Sequence, residues 1–184
     1  MDGEVQFFLE KSNLSFSQKK IKRILGLDPG LANTGFGVID CVKGSCHLVS
    51  YGTIETKPDF SHQNRLLIIF KKLQEIIKEF KPDSASMESL FFARNVSSAL
   101  NVAEAKGVVS LCLALNKIPV TEYKPNQIKQ AVTGEVKADK KLVQKYTQML
   151  LKLDNPVKPD HASDALACAI THSHFSDFNL GVKI

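Results

Sequence analysis

The residue whose position most clearly suggests chemistry is Asp28, which follows the apolar run Ile24-Leu25-Gly26-Leu27 and precedes Pro29-Gly30. The pattern predicts a carboxylate at the exposed end of a buried strand, where a charge is costly unless a cation pairs with it. A divalent metal ion is the simplest such partner for an isolated carboxylate. Asp also commonly opens Pro-Gly turns, so a purely turn-forming role is the alternative for this segment taken alone.

A second carboxylate, Glu88, ends the short run Ala85-Ser86-Met87, which is predicted to be a strand. Parallel strands place their carboxyl ends along one edge of a sheet, and open α/β sheets bind ligands there. If the strands that end at Asp28 and Glu88 are neighbours, the two acids meet at that edge.

A third group of reactive side chains begins the last predicted helix. His161 and Asp164 are three residues apart and therefore face the same way on a helix. Because the following residues are apolar, this helix should be buried against the sheet, with its polar first turn near the strand ends. Asp160 follows Pro159 and is well placed to cap the helix instead of binding a metal. His161, taken alone, could equally be a helix-start histidine without a ligand role.

Three carboxylates and an imidazole from separate segments suit two divalent cations if they converge. Mg²⁺ prefers oxygen ligands and keeps several waters, so a few carboxylates and a substrate phosphate complete its coordination. Two such ions about 4 Å apart activate an attacking water and stabilise the leaving 3′-oxygen of a phosphodiester. The sequence supplies these residue types, but spacing alone does not establish that they meet.

Five strands and five helices are expected to position these residues. The predicted strands span 22–28, 34–41, 45–55, 84–87 and 118–123, and the predicted helices span about 66–80, 93–116, 125–133, 139–153 and 161–175. The long second helix carries small residues that would allow close approach of another helix: Ala99, Ala103, Ala105 and Gly107. This order predicts an α/β fold with a mixed five-stranded sheet flanked by helices on both faces.

The composition indicates one folded domain with an anionic partner. At 184 residues and 43% hydrophobic content, the chain is long enough to bury a substantial core. Its formal net charge of +5 and pI near 9.0 favour an anionic ligand. Residues 124–158 contain eight Lys and three acidic residues, a local excess of five that equals the net charge of the whole chain. A phosphate-binding surface would give this distribution, and so would a solvated lysine-rich helix face.

Residues 1–20 are interpreted as a flexible N-terminal extension, residues 21–176 as the single domain and residues 177–184 as a C-terminal tail. No apolar run reaches the length of a membrane span, and the N-terminal residues do not resemble a secretory signal, so a cytoplasmic protein without membrane contact is expected. The four cysteines lack metal-binding spacing and are expected to be free thiols, without disulfides: Cys41, Cys46, Cys112 and Cys168.

Across roughly residues 23–175 the chain resembles the RuvC family of crossover (Holliday) junction endodeoxyribonucleases, which have an RNase H-like fold. The resemblance rests on motifs in the family's order: Ile24-Leu25-Gly26-Leu27-Asp28-Pro29-Gly30, Thr34-Gly35-Phe36-Gly37, Glu88-Ser89-Leu90-Phe91, Ala93-Arg94-Asn95, and His161-Ala162-Ser163-Asp164-Ala165-Leu166-Ala167 running to Ile170-Thr171-His172. It implies a homodimeric, Mg²⁺-dependent nuclease, in which Mn²⁺ can substitute, that resolves four-way DNA junctions by paired symmetric nicks in recombination and repair. A branch-migration helicase complex is the further partner that the resemblance implies.

Carried over position by position, the resemblance places Asp28, Glu88, His161 and Asp164 at the catalytic positions that bind two Mg²⁺ ions. The position of His161 is often Asp in the family, and the adjacent Asp160 is therefore a second candidate for this ligand. A neutral His161 ligand would make activity depend on deprotonation of its imidazole at mildly acidic pH.

For DNA binding the resemblance points to Phe91, Lys129 and Lys140. Phe91 corresponds to an aromatic residue near the junction crossover, where stacking on an unpaired base contributes roughly 1–3 kcal/mol. Phe92 could take this place instead, or both rings could extend the core. Lys129 and Lys140 match basic positions near the scissile phosphate, and weaker candidates lie in the same Lys-rich segment: Lys137, Lys141 and Lys145.

Three alternative functions share parts of this pattern. An actin/hexokinase-type ATPase has a similar Asp-Pro-Gly phosphate motif on a related sheet, but such proteins need two domains. Another RNase H-like nuclease would lack the Phe91 loop and the basic helical segment. A catalytically silent junction-binding protein would keep the lysines without the acids.

Overall fold

The computed structural model describes residues 8–9, 21–42, 44–89 and 96–176. Within these ranges the chain forms six strands: β1 (Phe8–Leu9), β2 (Lys22–Asp28), β3 (Asn33–Val42), β4 (Ser45–Glu55), β5 (Ser84–Glu88) and β6 (Val120–Tyr123). The same ranges contain five helices: α1 (His62–Phe80), α2 (Val96–Leu115), α3 (Pro125–Thr133), α4 (Lys140–Leu150) and α5 (Asp160–Ser176). None of these helices is both long and apolar enough to cross a membrane.

The strands form one mixed sheet in the order β1-β4-β3-β2-β5-β6. Strands β2, β3 and β4 are an antiparallel meander, whereas β5 pairs in parallel with both β2 and β6. The five predicted strands are all present, and Phe8–Leu9 adds a sixth by pairing with Tyr51 and Ser50 of β4. The expected count is one short because a two-residue strand leaves no periodic pattern in the sequence. The remainder of segment 1–20, interpreted as a flexible extension, lies outside the described residues.

Several element boundaries differ from the prediction by a few residues. Helix α1 begins at His62, four residues earlier than expected, because the Ser61 side chain caps it and accepts a hydrogen bond from the Asn64 amide at 3.3 Å. Strand β6 begins at Val120 rather than 118, and α4 ends at Leu150 rather than 153. Hydrophobic periodicity does not report a capping interaction such as that of Ser61.

Side chains of β2 alternate between two cores, one on each face of the sheet. Ile24 is buried with residues of α3, α4 and α5, whereas Leu25 and Leu27 are buried with residues of α1 and α2. Gly26 contacts α5, so Asp28, two residues further along the strand, lies on the α5 face as well. The prediction of helices on both faces is confirmed, and the same alternation determines the face on which Asp28 lies.

The close approach of α5 to the sheet depends on three glycines in β2 and β3. A Cβ added to Gly26 would overlap the backbone carbonyl of Ala165, and one added to Gly35 would overlap that of His161. A Cβ added to Gly37 would lie 2.5 Å from a leucine side chain of α5. Contact between the two backbones is possible because these positions lack side chains, and it sets the position of the first turn of α5.

The expectation of four free thiols is wrong for one pair, because Cys41 and Cys46 form a disulfide. These residues face each other in the register of the β3–β4 hairpin, with Cα atoms 4.2 Å apart. Their separation of five residues becomes a contact only when the chain reverses at Gly44, whose φ of 79° lies in the left-handed region. Cys112 and Cys168 are free and buried, as expected.

The small residues of α2 are divided between two environments. Ala105 is buried in the core shared with α1, but Ala103 and Gly107 are exposed, and no atom lies within 4 Å of a Cβ built on Gly107. Exposed leucines continue this outward face along the helix: Leu100 (59%), Leu111 (56%) and Leu115 (62%). The predicted close approach of a second helix at Gly107 is therefore not made by the described residues of a single chain.

A buried histidine, His172, connects α5 to the sheet through two hydrogen bonds. Its Nδ1 lies 2.9 Å from the Tyr123 hydroxyl, and its Nε2 lies 3.1 Å from Ser84 Oγ. Burial lowers the pKa of His172 from 6.5 to about 4, because the charged imidazolium would lose its hydration. The imidazole is therefore neutral in the folded protein near neutral pH.

This lowered pKa predicts a loss of stability in acid. Above pH 6.5 the imidazole is neutral in both states, but between pH 6.5 and about 4 the unfolded chain binds a proton that the folded chain does not. The free energy of unfolding should therefore fall by roughly 3 kcal/mol across this window through His172 alone. His172→Gln should remove most of this contribution, as measured by denaturant unfolding at several pH values.

His174→Gln, on the same helix, is the matched control and should keep the pH dependence of the wild type. A pH dependence in His172→Gln as steep as that of the wild type would contradict the assignment.

Candidate active site

Asp28 and Glu88 end neighbouring parallel strands. The register of β2 and β5 pairs Leu27 with Met87, so the next residue of each strand lies at the same end of the sheet. Both acids are partly exposed there. The structure therefore brings the two strand-end carboxylates to one edge. The sequence predicted this arrangement only if β2 and β5 were neighbours, and they are.

The turn after β2 is closed without the Asp28 carboxylate. The Gly30 amide donates to Thr34 Oγ1 at 3.3 Å, and the Thr34 hydroxyl donates to the Gly30 carbonyl at 2.8 Å. Asp28 instead faces α5, where its Oδ2 accepts a hydrogen bond from His161 Nδ1 at 2.7 Å. The turn-forming alternative does not account for this acid, since Thr34 stabilises the turn.

The first two turns of α5 bring His161 and Asp164 to the same edge. The backbone of His161 rests against Gly35 of β3, which places its imidazole beside Asp28. Asp164 lines a cleft of about 240 Å³ together with Asp28 and Glu88. The four side chains proposed from the sequence therefore lie around one opening at the end of the sheet.

Two lysines line the same cleft, Lys129 from α3 and Lys140 from α4. The Lys140 Nζ lies 3.0 Å from Asp164 Oδ2 and 3.3 Å from Asp160 Oδ2, so its ammonium is shared between two carboxylates of α5. The weaker lysine candidates line a separate surface depression at the start of α4: Lys137, Lys141 and Lys145. The structure thus separates the two matched lysines from these three weaker candidates.

Asp160 is held by α4 and does not cap α5. The helix begins at Asp160 itself, and the carbonyl of Pro159 accepts hydrogen bonds from the amides of residues 162 and 163. The Asp160 carboxylate binds Lys140 and also accepts a hydrogen bond from Gln144 Nε2 at 3.0 Å, and these two partners lower its pKa. The interpretation of Asp160 as the helix cap is therefore wrong, because its side chain turns towards α4, whereas that of His161 turns towards Asp28.

Burial and neighbouring carboxylates disfavour the charged forms of Glu88 and Asp164. Burial, followed by the charges of Asp28 and Asp164, raises the pKa of Glu88, and two nearby lysines oppose this rise. Burial likewise raises the pKa of Asp164, against the effect of Lys140. The hydrogen bond to Asp28 raises the pKa of His161. Carboxylates are therefore concentrated at this edge, where Lys129, Lys140 and His161 are the basic groups beside them.

The donor set fits hard divalent cations, since it consists of three carboxylates and one imidazole with space for water between them. Over the described ranges no three His, Cys, Asp or Glu side chains already form a group that could hold a metal ion. His161 instead contacts Asp28, and Lys140 contacts Asp164. A divalent cation would compete with the proton of His161 and the ammonium of Lys140 for the same carboxylates.

Two side chains beside the site are absent from the sequence-based candidates. Lys106 of α2 donates to the backbone carbonyl of Glu88, and Gln144 of α4 binds Asp160. Lys106 could have been noticed in the sequence as the single Lys within the run Ala105 to Val109, because a charge in a buried helix needs a partner.

Phe91 and the neighbouring Phe92 lie outside the described residues, so their contact with DNA stays a prediction.

Comparison with known proteins gives a consistent family. The family model described as crossover junction endodeoxyribonuclease RuvC matches residues 24–172. A protein of this name from Treponema denticola is 46% identical over 163 residues, which cover 88% of this chain and 92% of the relative. The protein of the same name from Brevibacillus brevis is 46% identical over 156 residues, covering 85% and 94% of the two chains.

Solved structures agree with the sequence comparison. The structure of T. thermophilus RuvC in complex with a Holliday junction substrate superposes with a TM-score of 0.82 at 30% identity, covering 85% of this chain and 96% of that one. The yeast mitochondrial Holliday junction resolvase shares the fold, with a TM-score of 0.59 at 14% identity. The fold is therefore RNase H-like, as the resemblance implied. Since the family model and its relatives match most of the sequence, the chain belongs to the RuvC family of crossover junction endodeoxyribonucleases.

Proposed function

We propose that this chain is a Mg²⁺-dependent endonuclease that resolves four-way (Holliday) DNA junctions by paired symmetric nicks in recombination and repair. The observation that carries the proposal is the meeting of three carboxylates and an imidazole at one sheet end, beside two lysines. Membership of the RuvC family supports it, as does the similarity to T. thermophilus RuvC, whose structure contains a Holliday junction substrate.

Asp28, Glu88, His161 and Asp164 are the proposed ligands of two Mg²⁺ ions, for which Mn²⁺ can substitute. When bound, such a pair of ions supplies an activated water and stabilises the leaving 3′-oxygen. The protein contributes rigid placement, because strand ends hold Asp28 and Glu88 while the buried helix α5 holds the other two. His161 is assigned in preference to Asp160 because it already contacts Asp28, whereas Asp160 is engaged by α4.

Lys129 and Lys140 are the proposed phosphate-binding residues near the scissile bond. A DNA strand adds negative charge to an edge that already holds three carboxylates, so nearby ammonium groups lower the cost of its approach. A cation bound at Asp164 would displace Lys140, leaving its ammonium available to a phosphate oxygen. Stacking of Phe91 on an unpaired base at the crossover remains part of this proposal.

The outward face of α2 is the proposed interface of a homodimer. Ala103 and Gly107 would allow two helices to approach closely, and the flanking leucines would bury apolar surface that one chain leaves exposed. A two-fold dimer provides two active sites, which paired nicking of a symmetric junction requires. A branch-migration helicase complex as partner and a cytoplasmic location complete the proposal.

Cleavage of a synthetic four-way junction in Mg²⁺ tests the proposed function. Asp28→Asn preserves side-chain size but removes a charged ligand, so cleavage should fall on the order of 100-fold while junction binding changes little. His161→Ala should give a similar split between cleavage and binding, because it removes a ligand without altering the lysines.

Asp160→Ala is the comparison variant, since it removes a neighbouring carboxylate that contacts residues of α4. A larger loss in Asp160→Ala than in His161→Ala would transfer the ligand role to Asp160. Unchanged cutting by Asp28→Asn would exclude the proposed mechanism, and junction binding without any cutting by the wild type would favour the silent binding protein.

Salt dependence of junction binding tests the two cleft lysines. Lys129→Ala combined with Lys140→Ala should lower the slope of log affinity against log salt concentration by about two, or roughly one per lost phosphate contact. Lys71→Ala combined with Lys78→Ala makes the same charge change in a cavity near the opposite end of β5 and should leave the slope as it is. An unaltered slope in the first variant would remove Lys129 and Lys140 from the interface.

Sedimentation mass tests the proposed dimer. Leu111→Glu places a charge on the outward face of α2, so the protein should become monomeric and its nicks should lose their pairing. Met149→Glu introduces the same charge at a similarly exposed residue of α4 and should remain dimeric. A dimer that persists in Leu111→Glu would place the interface elsewhere.

A further inference from the structure

Lys106 is a buried charge outside the cleft. It lies on α2 between Ala105 and Gly107 and is only 8% exposed. A buried ammonium is stable in its charged form only when several acceptors replace its hydration. The identity of those acceptors therefore indicates what this lysine does.

The ammonium of Lys106 has two described acceptors, which belong to the neighbouring strands β5 and β6 beside the active site. Its Nζ donates to Glu122 Oε2 at 2.7 Å and to the backbone carbonyl of Glu88 at 3.2 Å. Glu122 lies on β6 directly opposite Met87 of β5, one residue before the Glu88–Tyr123 pair. Lys106 thus joins α2, the end of β5 and the end of β6 through one charged group.

The Glu88 carbonyl needs such a donor because the sheet ends there. The ladder between β2 and β5 has its last pair at Leu27 and Met87, so no residue of β2 is paired opposite Glu88. On the other side, the Ser89 amide donates to the Tyr123 carbonyl at 2.8 Å. Lys106 supplies a charge-assisted hydrogen bond at the point where regular strand pairing stops, and such bonds are stronger than neutral ones.

We propose that Lys106, held by Glu122, is a positioning residue that fixes the backbone of Glu88 and thereby aims its carboxylate into the metal site. This inference rests on the proposed function of Glu88 as a metal ligand. The bond to Glu88 is made to the backbone carbonyl, which leaves the Glu88 carboxylate in the cleft with Asp28 and Asp164. Lys106 itself is not among the residues that line the cleft, so it acts through Glu88.

The geometry separates this role from general stabilisation of the fold. The Glu122 side chain is 47% exposed whereas that of Lys106 is 10% exposed, so the outer member of the pair can be altered with little disturbance of the core. Outer partners of metal ligands typically change metal affinity by about 10–100-fold when they are lost. A change in metal affinity is therefore the expected signature, in addition to any change in thermal stability.

Binding of Mn²⁺ to the full-length protein without DNA, measured by calorimetry, tests the proposal. Lys106→Met keeps the aliphatic stem but removes the donor, and should weaken Mn²⁺ binding about tenfold. The Mg²⁺ concentration for half-maximal junction cleavage should rise by a similar factor. Lys106→Arg keeps a charged donor and should bind Mn²⁺ with the affinity of the wild type.

Glu122→Gln and Lys72→Met complete the experiment. Glu122→Gln removes the negative charge that holds Lys106 but keeps the lysine itself. The Mg²⁺ concentration for half-maximal cleavage should therefore rise about threefold. Lys72→Met removes an ion pair with Glu75 on the surface of α1 and should leave metal binding as in the wild type. If Glu122→Gln binds metal as tightly as the wild type, the proposal is overturned, even if Lys106→Met fails to fold. The proposal is also overturned if Lys106→Met has a lower melting temperature but an unchanged metal affinity.

The same measurements distinguish this inference from the proposed function. A wild-type protein that binds Mn²⁺ but does not cut four-way junctions would refute the function while leaving the comparison of metal affinities intact. If the wild type cuts junctions and the variants of Lys106 and Glu122 bind metal as tightly as it does, only the positioning role is refuted.

Discussion

The backbone contact between α5 and the central strands is the constraint on which the active site depends. Gly26 and Gly35 present no side chain to the helix, so the carbonyls of Ala165 and His161 lie directly against the sheet. Contacts of this kind tolerate almost no displacement, because protein interiors are close-packed. The first turn of α5 is therefore held at the end of β2, and the distance between His161 and Asp28 follows from the packing of the helix.

Concentration of negative charge at this edge is the second determinant of the site. Burial and neighbouring carboxylates disfavour ionisation of Glu88 and Asp164, and the protein balances the acids of the cleft with groups from different elements. Lys140 contacts Asp164 from α4, and His161 contacts Asp28 from α5. In the proposed reaction, divalent metal ions would replace these two contacts, and the released Lys140 ammonium would be available to a substrate phosphate.

Helix α2 connects two features that the sequence treats as unrelated. Its inward residue Lys106 holds the end of β5, and the next residue, Gly107, belongs to the exposed face that we propose as the dimer interface. Adjacent residues of a helix point about 100° apart, so one rigid element can contact a second chain and still determine the position of Glu88. In the proposed dimer, the two active sites would be related through the helices that also position their ligands.

The sequence by itself determined the order of elements, the presence of helices on both faces of the sheet and the four candidate ligands. These features follow from local patterns, namely the spacing of apolar residues and the acids at strand ends. It also indicated Lys129 and Lys140 through their match to family positions. It missed the strand Phe8–Leu9 and the disulfide Cys41–Cys46, since both arise from pairing across a sheet. The separate roles of Asp160 and His161 were likewise undetermined, because neighbouring residues in the first turn of a helix have the same local sequence context.

Only the tertiary structure decided which of these two side chains meets Asp28. The glycines of β2 and β3 set the depth and rotation of α5, which turns His161 towards the strand ends and Asp160 towards Lys140 and Gln144. The same holds for Lys106, whose partners lie 16 and 18 residues away on two different strands. Residue type and period are encoded along the chain, but the direction of a side chain depends on how packed elements rotate against each other.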